Sequence, residues 1–214
     1  MPKTLQNIAV RPATKRDIPA MTAVLDRAFS ANDPFGAYMF PNPSQRARSR
    51  PRLTRAMIRH LFLPAGGAHV ATSDGRVVGV VLWQPSDRRF GLLRDLASIP
   101  EFLRAMGFDG PRVLSMYATI AGLAPGLPHY FGVTLGVDPE FQHIGVGKAL
   151  SLFCLTEVEQ AAVPLLCLCE DDSMGFYSAF GSQRLGHIRL GRTGPEVNVM
   201  MWLPSSLRAR ERRL

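Results

Sequence analysis

Apolar residues in this chain follow two rhythms that alternate along its length. Ile18, Met21, Leu25 and Ala28 recur at the three-to-four spacing that lines one face of a helix, and Thr14 with Asp17 three residues on resembles a capping box ahead of them. Residues 8–11 predict a short strand before that helix. Residues 31–44, ANDPFGAYMFPNPS, carry the Pro, Gly and Asn of a loop; a basic helix follows to about residue 63, with Pro51 marking a kink or a break. Residues 69–72 and 77–83 flank a Ser-Asp-Gly-Arg turn and predict a hairpin. From about 84 to 128 the pattern is mostly helical, with Val113, Met116, Tyr117, Ile120 and Ala124 in one apolar stripe. A strand over 130–137, a helix over 146–162, an apolar central strand over 164–169 and a short helix over 174–180 come next. Two last strands lie near 183–190 and 196–203. This alternation predicts an α/β fold around a mixed sheet.

Between the strand ending at Val137 and the helix after it stands QHIGVGKAL, residues 142–150, which has the glycines and lysine of a phosphate-holding loop. A Walker loop would place its first glycine on Gln142 and its magnesium-binding hydroxyl on Ala149, so that spelling fails. A dinucleotide fingerprint starting at Gly145 would need a third glycine at Leu150, so that fails too. What remains is Q-x-x-G-x-G running into a helix. Its backbone N–H groups suit a pyrophosphate, with no metal implied, and Gly145 and Gly147 allow close approach.

Composition narrows the classes. A chain of 214 residues, 46% hydrophobic and 20% charged, buries a full core and is expected to form one domain over 1–214. The net charge of +8 raises a nucleic-acid partner. However, the basic residues concentrate between Arg46 and Arg59 and in a tail at about 205–214, with no stacking aromatics interleaved, so solvated surfaces are expected instead. The N-terminus has no apolar run of signal-peptide length. Residues 113–137 lack any charged side chain, but Pro125, Gly126 and Pro128 break them, which argues against a membrane span. Cys154, Cys167 and Cys169 read as reduced thiols of a cytoplasmic protein, and Cys-Leu-Cys is not a zinc spacing, so no metal is expected.

In order, RPATKRDIPA, VVGVVLWQP, PHYFGVTLGV, TLGVDPEFQHIGVGKAL and FYSAFG resemble the GNAT superfamily of N-acetyltransferases over nearly the whole chain. The pattern is most similar to small-molecule enzymes of the puromycin N-acetyltransferase type. The resemblance implies a mostly antiparallel mixed sheet flanked by helices, splayed at two strands that hold coenzyme A, with acetyl-CoA as cosubstrate. It puts the pantetheine arm on the backbone of Leu135, Gly136 and Val137, and the pyrophosphate on Gln142, His143, Ile144, Gly145, Val146, Gly147 and Lys148. It makes Tyr177 a proton donor to the departing thiolate. Ser173 stands where this subgroup often has asparagine, and Cys167 takes the slot of its acidic strand residue.

The general base is therefore open. His129 is a candidate because an unperturbed imidazole titrates near neutrality. The carboxylates Asp33, Glu170, Asp171 and Asp172 would attract a cationic acceptor. The expected activity is transfer of acetyl from acetyl-CoA to a primary amine of a small molecule by direct attack, with a homodimer left open. An acyl-CoA-binding sensor without catalysis and an enzyme acting on a protein amine are the alternatives.

Overall fold

The structure is a computed structural model and describes residues 7–29, 33–85, 98–123 and 128–211. Among the described residues seven strands form one sheet in the order β1-β2-β3-β4-β5-β7-β6. They are β1 (Ala9–Pro12), β2 (Ala68–Ser73), β3 (Arg76–Gln84), β4 (Tyr130–Val137), β5 (Leu165–Cys169), β6 (Gln183–Arg189) and β7 (Glu196–Trp202). Every neighbouring pair is antiparallel except β4 with β5, which is parallel. Strand β3 is interior to the sheet and covered on both faces, which is why RVVGVVLWQ reads as a continuous apolar run and not an alternation. Its Val80 and Leu82 point to one core, its Val81 and Trp83 to the other.

Helices α1 (Ile18–Ala28), α3 (Pro43–Met57), α4 (Ile99–Met106) and α5 (Gly110–Ala121) pack on the first of these faces. On the opposite face lie α6 (Val146–Ala161) and α7 (Asp171–Ser178). Ahead of α1, Asp17 accepts hydrogen bonds from the Thr14 N–H and hydroxyl and from both ends of the Arg11 guanidinium, at 2.7 to 2.9 Å. Those bonds, Arg11's foremost, hold its carboxyl well below the usual carboxylate range. The helix accordingly opens with a single tight turn over Lys15–Asp17.

Two local expectations need correction. The segment expected to be a loop contains a helix, α2 (Pro34–Met39), which begins with Asp33 extended and Pro34 in the first turn. There the missing proline N–H costs nothing, because the first N–H groups of a helix have no intrahelical acceptor. Pro51 does not interrupt α3 either: the helix continues through it and ends in a single wide turn over Ile58–Phe62. Leu53, Ala56, Met57 and Ile58 are buried behind Pro51, and that packing offsets one lost backbone bond. In the insertion, Val113 and Met116 are buried and Tyr117 and Ile120 pack against the same core. Ala124, Pro125 and Gly126 lie outside the described residues. Ser205–Glu211, expected as part of a basic tail, forms a short helix α8. Among the described residues no helix is long and apolar enough to cross a membrane.

Candidate active site

Strands β4 and β5 pair at only three positions, Tyr130 with Leu165, Phe131 with Leu166 and Gly132 with Cys167. Beyond Gly132 the two strands run on, unpaired with each other, to Val137 and Cys169. The divergence coincides with a bulge. On the other edge of β4, Leu82 pairs with Thr134 and Trp83 with Gly132, so Val133 is the extra residue. A bulge bends and twists its strand, turning the rest of β4 away from β5. Gly132 itself sits tight against β5, where a Cβ would lie 3.2 Å from that of Cys167. The outcome is a sheet open in its middle, with the β5-facing backbone of β4 not used for pairing with β5.

Below the opening, the chain turns into α6. Asp138 is 1% exposed and bonds Arg27 at 2.6 Å and Arg76 at 3.1 Å. Burial pushes its carboxyl up, but these bonds and the Glu140 N–H outweigh it and the net displacement is downward. A short helical turn over Pro139–Phe141 follows, and then the Gly-rich loop. His143 and Gly145 both have positive φ, 62° and 95°, and Gly145 caps α6. A Cβ on Gly145 would meet nothing within 4 Å, so its glycine is required by the backbone turn and the space before it is open. Gly147 lies in the first turn of α6, where a Cβ would stand 3.5 Å from Phe176 and 3.7 Å from Val137. Gly79 on β3 seats this helix end: any Cβ there would approach Val146 to 2.6 Å.

The loop residues have different jobs. The Gln142 side-chain amide donates to the Val137 carbonyl at 3.3 Å and straps the loop to the end of β4. Val146 is buried in the core, Ile144 is half-buried, and Lys148 and His143 are exposed. Gly136 turns its open face to α1, where a Cβ would come within 2.7 Å of Leu25. Leu135 and Val137 pack on the α6 side.

A cleft of about 270 Å³ passes through the opening in the sheet. Leu135, Ser173 and Tyr177 line it, with Cys154, Cys167 and Cys169 beside them. Tyr177 packs on Cys167, Cys169 and Met200, and burial, followed by the neighbouring cysteines, pushes its phenol above the ordinary value. It remains protonated through neutral pH. Burial also pushes the Cys167 and Cys154 thiols up to about 12, and Cys169 upward, so none is a ready thiolate. On the far side of the sheet the cleft reaches Asp33, Arg50 and Glu170. Burial raises the Glu170 carboxyl, and the neighbouring Asp33 and Asp172 raise it further. His129 precedes β4 at the paired end of the opening and does not line the cleft.

Two contributors were missed in the sequence. Arg50 is not solvated like its basic neighbours: its guanidinium, 13% exposed, bonds the Asp26 carboxylate and carbonyl, the Phe29 carbonyl and Asp33. Asn198 is buried on β7 and donates to Asp171 at 2.7 Å, fixing the first turn of α7 and hence the helix that carries Tyr177. An asparagine inside the apolar run EVNVMMW was the available signal, since a buried amide needs a partner.

By sequence, the chain matches no family model and no curated protein. By structure, it is similar to an acetyltransferase from Corynebacterium glutamicum described as histone acetyltransferase HPA2 and related acetyltransferase. The TM-score is 0.72 at 24% identity, over 92% of this chain and 97% of that one. Drosophila melanogaster polyamine N-acetyltransferase, which forms N-acetylagmatine, gives 0.65 at 18% identity over 92% and 100%. The ribosomal-protein-S18-alanine N-acetyltransferase of Escherichia coli gives 0.51 at 15% over 92% and 94%. The chain has the GNAT fold, a mostly antiparallel sheet opened between β4 and β5, as its motifs implied.

Proposed function

We propose that this protein is an acetyl-CoA-dependent N-acetyltransferase acting on a primary amine of a small molecule by direct attack. The observation that carries the reading is the parallel pair paired at only three positions, with Tyr177 in the gap and the unpaired end of β4 reaching the first turn of α6, where Val137 lies 3.7 Å from a Cβ built on Gly147. Acetyl-CoA supplies the acetyl group as an activated thioester. The first N–H groups of α6 lack intrahelical acceptors and carry the positive end of the helix dipole, which suits a diphosphate. The β5-facing edge of β4 offers backbone donors and acceptors to an amide-bearing arm, around Leu135 to Val137. Tyr177 gives its proton to the departing sulfur, and Ser173 extends a hydroxyl toward the same cleft.

An ammonium must lose a proton before its nitrogen attacks. The cleft reaches Glu170 and not His129, so we assign proton acceptance to Glu170, a carboxylate that the sequence alone offers only as an attractor of a cationic acceptor. Burial and neighbouring carboxylates raise its carboxyl toward the range in which a base works well. Structural neighbours named for acetylating agmatine, polyamines and arylalkylamines are consistent with a small amine. Three unpaired cysteines suit a reducing cytoplasm.

Release of free thiol from acetyl-CoA in the presence of primary amines tests the reading. The wild type is expected to turn over. A Cys167→Ala, Cys169→Ser variant should lose roughly 1–3 kcal/mol of stability yet keep turnover in its folded fraction. Loss of turnover with folding and CoA binding intact would instead demand an acetyl-cysteine intermediate. Tight acetyl-CoA binding with no transfer to any amine would make the protein a sensor.

A further inference from the structure

Among the described residues the acceptor side of the cleft has one carboxylate with no ion-pair cation, and a wall that is mostly apolar, with Asp33, Arg50, Thr54 and Tyr117 as its polar members. Asp33 is tied to Arg50 at 3.4 Å, and Asp26, outside the cleft, holds the same guanidinium at 2.7 Å. Asp171 is engaged by Asn198, and Asp172 is exposed and does not line the cleft. Among the described residues Glu170 has no ion-pair partner, although it lines the cleft. Facing it across the acceptor side are Phe29, Phe35, Leu53, Met57, Met116 and Ile120, all belonging to the core packed under α1, α3 and α5.

Resting on the transferase reading, we propose that the acceptor is a monocationic primary amine on an apolar body about one ring in size. Glu170 holds the ammonium at the opening and takes its proton. Phe29, Leu53, Met57, Met116 and Ile120 receive the body. A second cationic end, as in a diamine, would be carried into a mostly apolar wall whose carboxylate, Asp33, is already paired with Arg50, and desolvation opposes that. A carboxylate beside the amine, as in a free amino acid, would face Glu170. Size sets the other limit. An apolar cavity of about 150 Å³ takes one benzene ring. A cleft of about 270 Å³ that also receives the end of the pantetheine arm has room for one such body and little more.

Three amines presented to the full-length wild type with acetyl-CoA test this: 2-phenylethylamine, 1,5-diaminopentane and phenylalanine. Thiol release should give kcat/KM for 2-phenylethylamine at least about 30-fold above either competitor. Glu170→Gln should lower kcat/KM for 2-phenylethylamine by roughly 10²-fold, with acetyl-CoA affinity within about twofold. Ile120→Trp, which fills the apolar side, should raise KM for the same amine about tenfold and leave acetyl-CoA affinity alone. Equal or faster turnover of the diamine or the amino acid overturns the substrate class while the transferase reading stands. So does an unchanged KM in folded Ile120→Trp. No thiol release with any of the three, nor with other primary amines, overturns the transferase reading itself and this inference with it.

Discussion

Gly147→Trp is expected to abolish measurable CoA binding in a protein that still folds. Gly147 sits in the first turn of α6, just after Gly145 turns the backbone at φ 95° and leaves open space before the helix end. A small side chain fits there: the Cβ of alanine would stand 3.5 Å from Phe176 and 3.7 Å from Val137, ordinary contact distances. An indole has nowhere to go except outward, over the N–H groups assigned to the diphosphate. Calorimetry should show Kd rising by more than about 100-fold, or roughly 2.7 kcal/mol, for Gly147→Trp, and by less than about threefold for Gly147→Ala. Unchanged affinity in folded Gly147→Trp would remove the diphosphate from this helix end.

The second large effect belongs to Tyr177. CoA thiolate is a fair leaving group unaided, so a proton donor speeds its departure and is not indispensable. The phenol lies in the sheet opening against Cys167 and Cys169, and burial keeps it protonated. Phenylalanine preserves that packing and removes only the hydroxyl. Tyr177→Phe should cut kcat by roughly 10² to 10⁴, about 3 to 5 kcal/mol of barrier, while CoA affinity and stability change little. A kcat within about threefold of the parent, measured where chemistry limits turnover, would assign proton delivery to water.

What the sequence disclosed depended on whether a feature is local. The loop was legible because two glycines at fixed spacing, a strand before and a helix after are all neighbours in the chain. Strands β3 and β5 were legible as unbroken apolar runs, since both of their faces are covered. Helix α2 was not, because Pro34 and Gly36 spell a turn unless Pro34 is recognised as occupying a first helical turn. The acceptor side was least legible. Asp33, Arg50 and Glu170 come from three distant segments, and nothing in the charge pattern distinguishes Arg50 from the solvated arginines around it. Its burial follows from the packing of Ser49 and Leu53 on the same helix, a tertiary fact. His129 stood out by residue type alone, whereas Glu170 stands out only once the cleft exists.

Diffraction from crystals grown with CoA tests the central claim most directly. The account predicts the diphosphate within about 3 Å of backbone N–H groups in the 143–148 loop. It further predicts the pantetheine arm between β4 and β5, and the sulfur beside the Tyr177 hydroxyl. CoA bound elsewhere, or β4 and β5 paired continuously to Val137 and Cys169 with CoA present, would contradict it.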